Sequence, residues 1–252
     1  PYDGLVSSES IGEPGMPPDV IAVIPAYQAA PTLDAVVRGA GEHLPVLVVD
    51  DGSTDATSAV AEAAGAEVLR QEPNQGKGAA LRSGFARALE NGATAVLTLD
   101  ADGQHDPACA PDFLAAWRER GAPLIIGRRD FSQMPLSRRV ANNLGTQTFS
   151  WAVGRHVDDN QSGYRLIARP LLPHLLGSSE DGFEFEVEMI TDAIRAGLDI
   201  DWVPIPTIYE DAGSHISPVS HVSNFLRVAR AARRSVSTPL DLGDEDTQPR
   251  AR

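Results

Sequence analysis

Two aspartates one residue apart, Asp100 and Asp102, directly follow the apolar run 95–99. Such a pair at a strand end can share a divalent cation with a diphosphate, because Mg2+ and Mn2+ take oxygen ligands and complete their shell from substrate phosphates. An isolated Asp-x-Asp reads more simply as a solvated acidic turn. Here the strand before it and three further motifs favour the metal site. Val49-Asp50-Asp51-Gly52-Ser53 also closes an apolar run. Its carboxylate can accept from a base or ribose, and a turn with a helix cap accounts for it equally well. Ile24-Pro25-Ala26-Tyr27 offers an aromatic ring to pack on a base. Asn74-Gln75-Gly76-Lys77-Gly78 has glycines that permit close backbone approach and a lysine able to touch phosphate. It lacks P-loop spacing, which argues against an NTPase.

The elements that must hold these motifs follow from periodicity. Short apolar runs predict strands over 20–25, 45–49, 67–70, 95–99, 124–126 and 202–205. Helical spacing predicts helices over 32–43, 56–64, 78–90, 111–120, 138–153, 184–196 and 221–234. Alternating strands and helices predict an α/β fold, a mostly parallel sheet with helices on both faces. Ligands bind such sheets beyond the carboxyl ends of the strands, where three of the four motifs fall. The expected organisation is a flexible arm at 1–18, one domain over 19–216, a basic helix at 217–236 and an acidic disordered tail at 237–252.

The net charge of −14 over 252 residues argues against nucleic acid as a partner. Lys77 is the only lysine, so arginine supplies the remaining basic side chains. Cys109 is the only cysteine, which excludes an intrachain disulfide and a thiolate metal cluster and fits a reducing, cytoplasmic setting. Residues 1–18 lack the basic and apolar regions of a signal peptide. No apolar run approaches the roughly 18–20 residues of a membrane-spanning helix. A membrane would be met peripherally, at its inner face. The segment 221–234 sets Phe225 and Leu226 among Arg227, Arg230, Arg233 and Arg234. It fits an interfacial helix drawn to anionic lipid, or a docked helix with a solvated basic face.

Taken in order, the four motifs resemble those of the family 2 glycosyltransferases of GT-A fold, in particular the dolichol- and polyprenol-phosphate sugar transferases. Asp159-Asn160-Gln161-Ser162-Gly163-Tyr164-Arg165 and Gly182-Phe183-Glu184-Phe185-Glu186-Val187-Glu188-Met189 extend the resemblance, which runs from about 20 to about 230. It implies a Rossmann-like sheet and a Mg2+- or Mn2+-dependent transfer, with inversion, of a sugar from a GDP- or UDP-sugar. The implied acceptor is a polyprenyl phosphate or another membrane-associated molecule. Pro25, Tyr27, Val49 and Asp51 match the family's nucleotide contacts. Asp100, Ala101 and Asp102 match its metal and diphosphate motif, with Asp100 and Asp102 as metal ligands and Asp102 catalytic. Gln104 matches the donor-sugar side and Arg129 the donor and phosphate side. Arg138 matches an acceptor-phosphate arginine, and Ser214 and His215 fall on the acceptor side.

Two positions depart from the family pattern. Ala29 stands where the family often has glutamate, and His215 stands for a lysine in a loop that also lacks the usual arginine. A phosphate acceptor is already ionised near neutral pH, whereas a hydroxyl acceptor needs a base. Asp181, just ahead of the helix at 184, is the candidate base, and a carboxylate favoured by the helix dipole is its other role. Of Glu184 and Glu188, one turn apart, one is expected to find an arginine, and His105 and His156 are expected to be polar loop residues. Two other classes stay open: a nucleotidyltransferase, though its basic glycine-rich loop is missing near the first strand, and a non-catalytic nucleotide-sugar-binding protein.

Overall fold

The computed structural model describes residues 20–131, 136–178, 180–182, 184–208 and 229–240, with the side chains of 136–138 and 141 excepted. Among the described residues seven strands form one sheet in the order β3-β2-β1-β4-β6-β5-β7. They are β1 (Val20–Ala26), β2 (Val46–Asp51), β3 (Glu67–Gln71), β4 (Ala95–Thr98), β5 (Leu124–Arg129), β6 (Arg165–Ala168) and β7 (Ile200–Ile205). All pairings are parallel except the two that β6 makes, with β4 and with β5. The helices are α1 (Ala30–Gly41), α2 (Thr57–Ala63), α3 (Lys77–Glu90), α4 (Ala110–Arg120), α5 (Leu136–Val153), α6 (Leu172–Leu175) and α7 (Glu184–Arg195). A further helical segment spans 229–236.

The continuous apolar character of β1, β2 and β4 reflects burial on both faces of the sheet. Alternate residues feed two cores. Ala22, Ile24, Val48 and Leu97 pack with α1 and α4 on one face, through Leu33, Val37 and Phe113. Val23, Val49 and Val96 pack with α3, α5 and α7 on the other, through Phe85, Phe149, Phe185 and Met189. Gly84 lets α3 lie flat on the sheet, since a Cβ there would come 2.5 Å from Val23 Cγ1.

Strand β6, like the four-residue helix α6, is not announced by periodicity. It has four residues, begins with a charged one and runs against its neighbours. Its reversal matters for the site: the residues that precede β6 arrive at the edge where β1, β2, β4 and β5 end. Residues 237–240, at the head of the expected tail, are tied to α7. Leu240 N–H donates to Arg195 O at 3.1 Å, and Arg195 Nε donates to Thr238 O at 2.8 Å. The arm at 1–18, most of the basic helix and the rest of the tail lie outside the described residues.

Candidate active site

A cleft of about 520 Å³ opens at the carboxyl edge of β1, β2 and β4. Pro25, Tyr27, Asp51, Asp100, Ala101 and Asp102 line it, so the first, second and third motifs converge. Asn74, Gly76 and Lys77 add the fourth. Tyr27 is 53% exposed at its mouth. The paired aspartates of the second motif divide their work. Asp50 is fully buried and holds its own turn, accepting from Ser53 N–H at 2.9 Å and from Arg70 Nη1 at 2.7 Å. Burial works against its charge, yet the Ser53 and Ser58 hydrogen bonds and Arg70 hold its carboxyl below the ordinary value. Asp51 faces the cleft. It accepts from Gln75 N–H and Gly76 N–H, each at 2.8 Å, and so fixes the loop that delivers Lys77.

Lys77 is the central cation. Its Nζ lies 2.5 Å from Asp100 Oδ1 and 2.8 Å from Glu186 Oε1. Burial opposes the ammonium, but the two carboxylates outweigh it and raise its pKa. Asp100 is likewise desolvated, and Lys77 keeps its carboxyl below the ordinary value. Gly163 completes the cluster: a Cβ there would lie 2.9 Å from Asp100 Oδ2 and 2.8 Å from Glu186 Oε1. The segment before β6 is bound in turn by a buried arginine. Arg165 Nε donates to Ser162 O at 2.7 Å, and its Nη1 donates to Glu186 O. Glu186 escapes the sequence reading, which weighs its neighbours Glu184 and Glu188. The available signal is its place on the apolar face of α7, three and four residues before Met189 and Ile190.

His105 lies in a loop, as expected, and points inward. It is buried beneath the Asp100 motif, 5.2 Å from the Tyr164 ring, and its Nδ1 accepts from Asp100 N–H at 3.1 Å. Desolvation lowers its pKa and favours the neutral ring. His156 is the exposed one, 2.8 Å from Asp158. Glu188 Oε2 accepts a hydrogen bond from the Ser178 hydroxyl.

Other predicted site residues are placed elsewhere. The Val49 side chain is fully buried in the core beneath α3 and does not line the cleft. Gln104 is exposed, and its N–H closes the turn by donating to Asp102 Oδ1 at 2.9 Å. Arg129 grips Asp159 bidentately, at 2.7 and 3.0 Å. Asp181 pairs with Arg82 through Oδ1, and its carbonyl accepts from Gly78 N–H at 2.8 Å. Gly76 and Gly78 leave no room for a Cβ against that strand of chain, which is how α3 and residues 180–181 touch. Arg138 lies in the first turn of α5, with its side chain outside the described set; Ser214 and His215 lie outside the described residues altogether.

The donor set suits a hard divalent ion. Asp100 and Asp102 line one cleft, and among the described residues no three His, Cys, Asp or Glu side chains are grouped so as to hold a metal ion by themselves. An ion held this way relies on phosphate oxygens and water for its remaining positions.

The model of the family described as Glycosyl transferase family 2 matches residues 21–173. The chain belongs to that family. This glycosyltransferase is similar to undecaprenyl-phosphate mannosyltransferase of Micrococcus luteus, 32% identical over 209 residues that cover 77% of this chain and 85% of that protein. It is also similar to polyprenol monophosphomannose synthase of Mycolicibacterium smegmatis, 29% identical over 209 residues that cover 77% and 78%. Among solved structures it resembles glucosyl-3-phosphoglycerate synthase from Mycobacterium tuberculosis in complex with Mn2+, uridine diphosphate and phosphoglyceric acid. The TM-score is 0.66, with 88% of this glycosyltransferase and 79% of that chain covered at 22% identity. That likeness establishes the GT-A fold. Family membership makes the chain an enzyme and displaces the nucleotidyltransferase and the non-catalytic binding protein.

Proposed function

We propose that this glycosyltransferase moves a sugar from a nucleotide-sugar to a polyprenyl phosphate, with inversion at the anomeric carbon. The observation that carries the proposal is one cleft holding Tyr27, Asp51, Lys77, Asp100 and Asp102, in a chain that aligns with an undecaprenyl-phosphate mannosyltransferase over most of its length. Tyr27 offers a ring for the base. Asp100 and Asp102 would hold a Mg2+ or Mn2+, which supplies charge stabilisation for a departing diphosphate. Lys77 adds a fixed positive charge beside them and keeps Asp100 ionised. Its position is preset by Glu186 and by the loop pinned to Asp51.

The state of Asp181 supports the phosphate acceptor. A carboxylate paired with Arg82 is poorly placed to take a proton from a hydroxyl, and a phosphate nucleophile needs no such help. The test is transfer from a panel of GDP- and UDP-sugars, with Mn2+ or with chelator, to a short polyprenyl phosphate and to soluble hydroxyl acceptors. Product on the lipid phosphate, loss of donor binding on chelation and an active Asp181→Asn enzyme are expected. Transfer only to a hydroxyl, abolished in Asp181→Asn, would overturn the acceptor. Equal donor affinity with metal and with chelator would overturn the metal.

A further inference from the structure

Helix α5 carries an apolar stripe on the side that faces away from the core. Val140 is 57% exposed, Leu144 61% and Trp151 70%. At 100° per residue these positions and Gln147 fall within one narrow face, opposite the buried Thr146, Phe149 and Val153. A surface helix ordinarily turns polar side chains outward, and aligned exposed apolar residues mark a contact surface. The rim of this stripe is basic. Arg139 is exposed beside Val140. The Arg233 guanidinium sits 4.4 Å from the centre of the Trp151 ring, and Arg230 and Arg234 are exposed on the same short helix.

We propose that this face docks on an anionic lipid surface, with Val140, Leu144 and Trp151 entering the headgroup boundary and the arginines meeting lipid phosphates. Two arguments select that occupant. A local cluster of arginines in a chain of net charge −14 is complementary to an anionic sheet, and tryptophan backed by arginine suits the interface between water and hydrocarbon. The patch is also small for a second copy: even at the roughly 150–250 Å² an aromatic side chain can bury, three residues fall short of the ~800 Å² per partner of a standard interface. The inference deepens the lipid-acceptor reading, since α5 starts shortly after β5 ends, on the edge where the cleft opens. It does not depend on which sugar is moved.

The experiment sediments the full chain, without donor, with phosphatidylglycerol–phosphatidylcholine vesicles and with pure phosphatidylcholine. Binding to the anionic vesicles is expected. Leu144→Glu should weaken it about tenfold, the value of one buried leucine, at low and at high salt. Arg230→Glu with Arg233→Glu should lose about fivefold per arginine, at low salt only. Uridine diphosphate binding and melting temperature should stay at wild-type values, because Leu144 is exposed; Leu144→Gln repeats the test without a new charge. Absence of wild-type binding, or binding unchanged in both Leu144 variants, would overturn the proposal. A dimer that Leu144→Glu dissolves, with vesicle binding unaffected, would assign the face to a second copy. Transfer to short-chain acceptor in detergent is measured on the same proteins, so the docking surface and the transfer reaction fail or succeed separately.

Discussion

Asp102 is exposed and bonds within its own turn through Oδ1, so little of the fold rests on it. Asp102→Ala should therefore lower transfer by about 10²-fold or more, the several kcal/mol that a bound metal supplies, while the melting temperature holds. Steady-state rates with Mn2+ and a thermal melt check both halves, and near-normal turnover would remove Asp102 from the metal site. Arg129 behaves in the opposite way. Its partner Asp159 is fully buried; without Arg129 it keeps the Gln161 N–H at 3.0 Å but loses its bidentate counter-ion, so Arg129→Ala should destabilise the chain by about 3 kcal/mol. Replacing both residues by apolar ones should return most of that in a denaturant titration. A stable Arg129→Ala protein that has lost only lipid-phosphate affinity would show that the guanidinium serves the acceptor instead. The sequence brings Asp51, Asp100 and Asp102 forward because several polar motifs fall at strand ends together, where each taken alone reads as a turn, and the three do line one cleft. It does not disclose that Arg129 and Asp181 are already paired, since partners 30 and 99 residues away leave no local pattern.

At the scale of elements, α7 has two differently charged roles. Glu186 turns inward to Lys77, while Glu184 and Glu188 line a second cleft of about 260 Å³ against the 229–236 helix. Burial is the main influence on Glu188 and raises its carboxyl pKa, Ser178 acts the other way, and Asp192 adds to the rise. A raised carboxyl binds its proton more tightly in the folded chain. It supports the fold below the unfolded value of about 4.3, and that support is lost as pH rises through the folded value. At neutral pH the charge is a burden. Glu188→Gln, which can still accept from Ser178, should melt higher than wild type at pH 7, with the advantage shrinking to nothing toward pH 4. A constant difference across that range would mean that packing, not ionisation, sets the effect. The longer helices are legible through their period and the parallel strands as short apolar runs, whereas the four-residue α6 is not. Nor is strand β6: four residues are too few for a period, and its pairing is decided by β4 and β5 on either side.

For the molecule as a whole, the reversed strand has a bearing on how the chain is made. Thr98 pairs with Arg165, and every residue between them must be synthesised before that ladder can close. The β3-β2-β1-β4 portion needs nothing beyond residue 98 to form its own ladders. Long-range pairing is slow, so the growing chain passes through a stage in which β4, with its apolar Ala95-Val96-Leu97, is an open edge. Such an edge is a template for any other extended chain. Vulnerability to aggregation is therefore concentrated in the interval between the emergence of β4 and the arrival of β6. A nonsense product ending between 99 and 164 would never acquire the strand that covers β4.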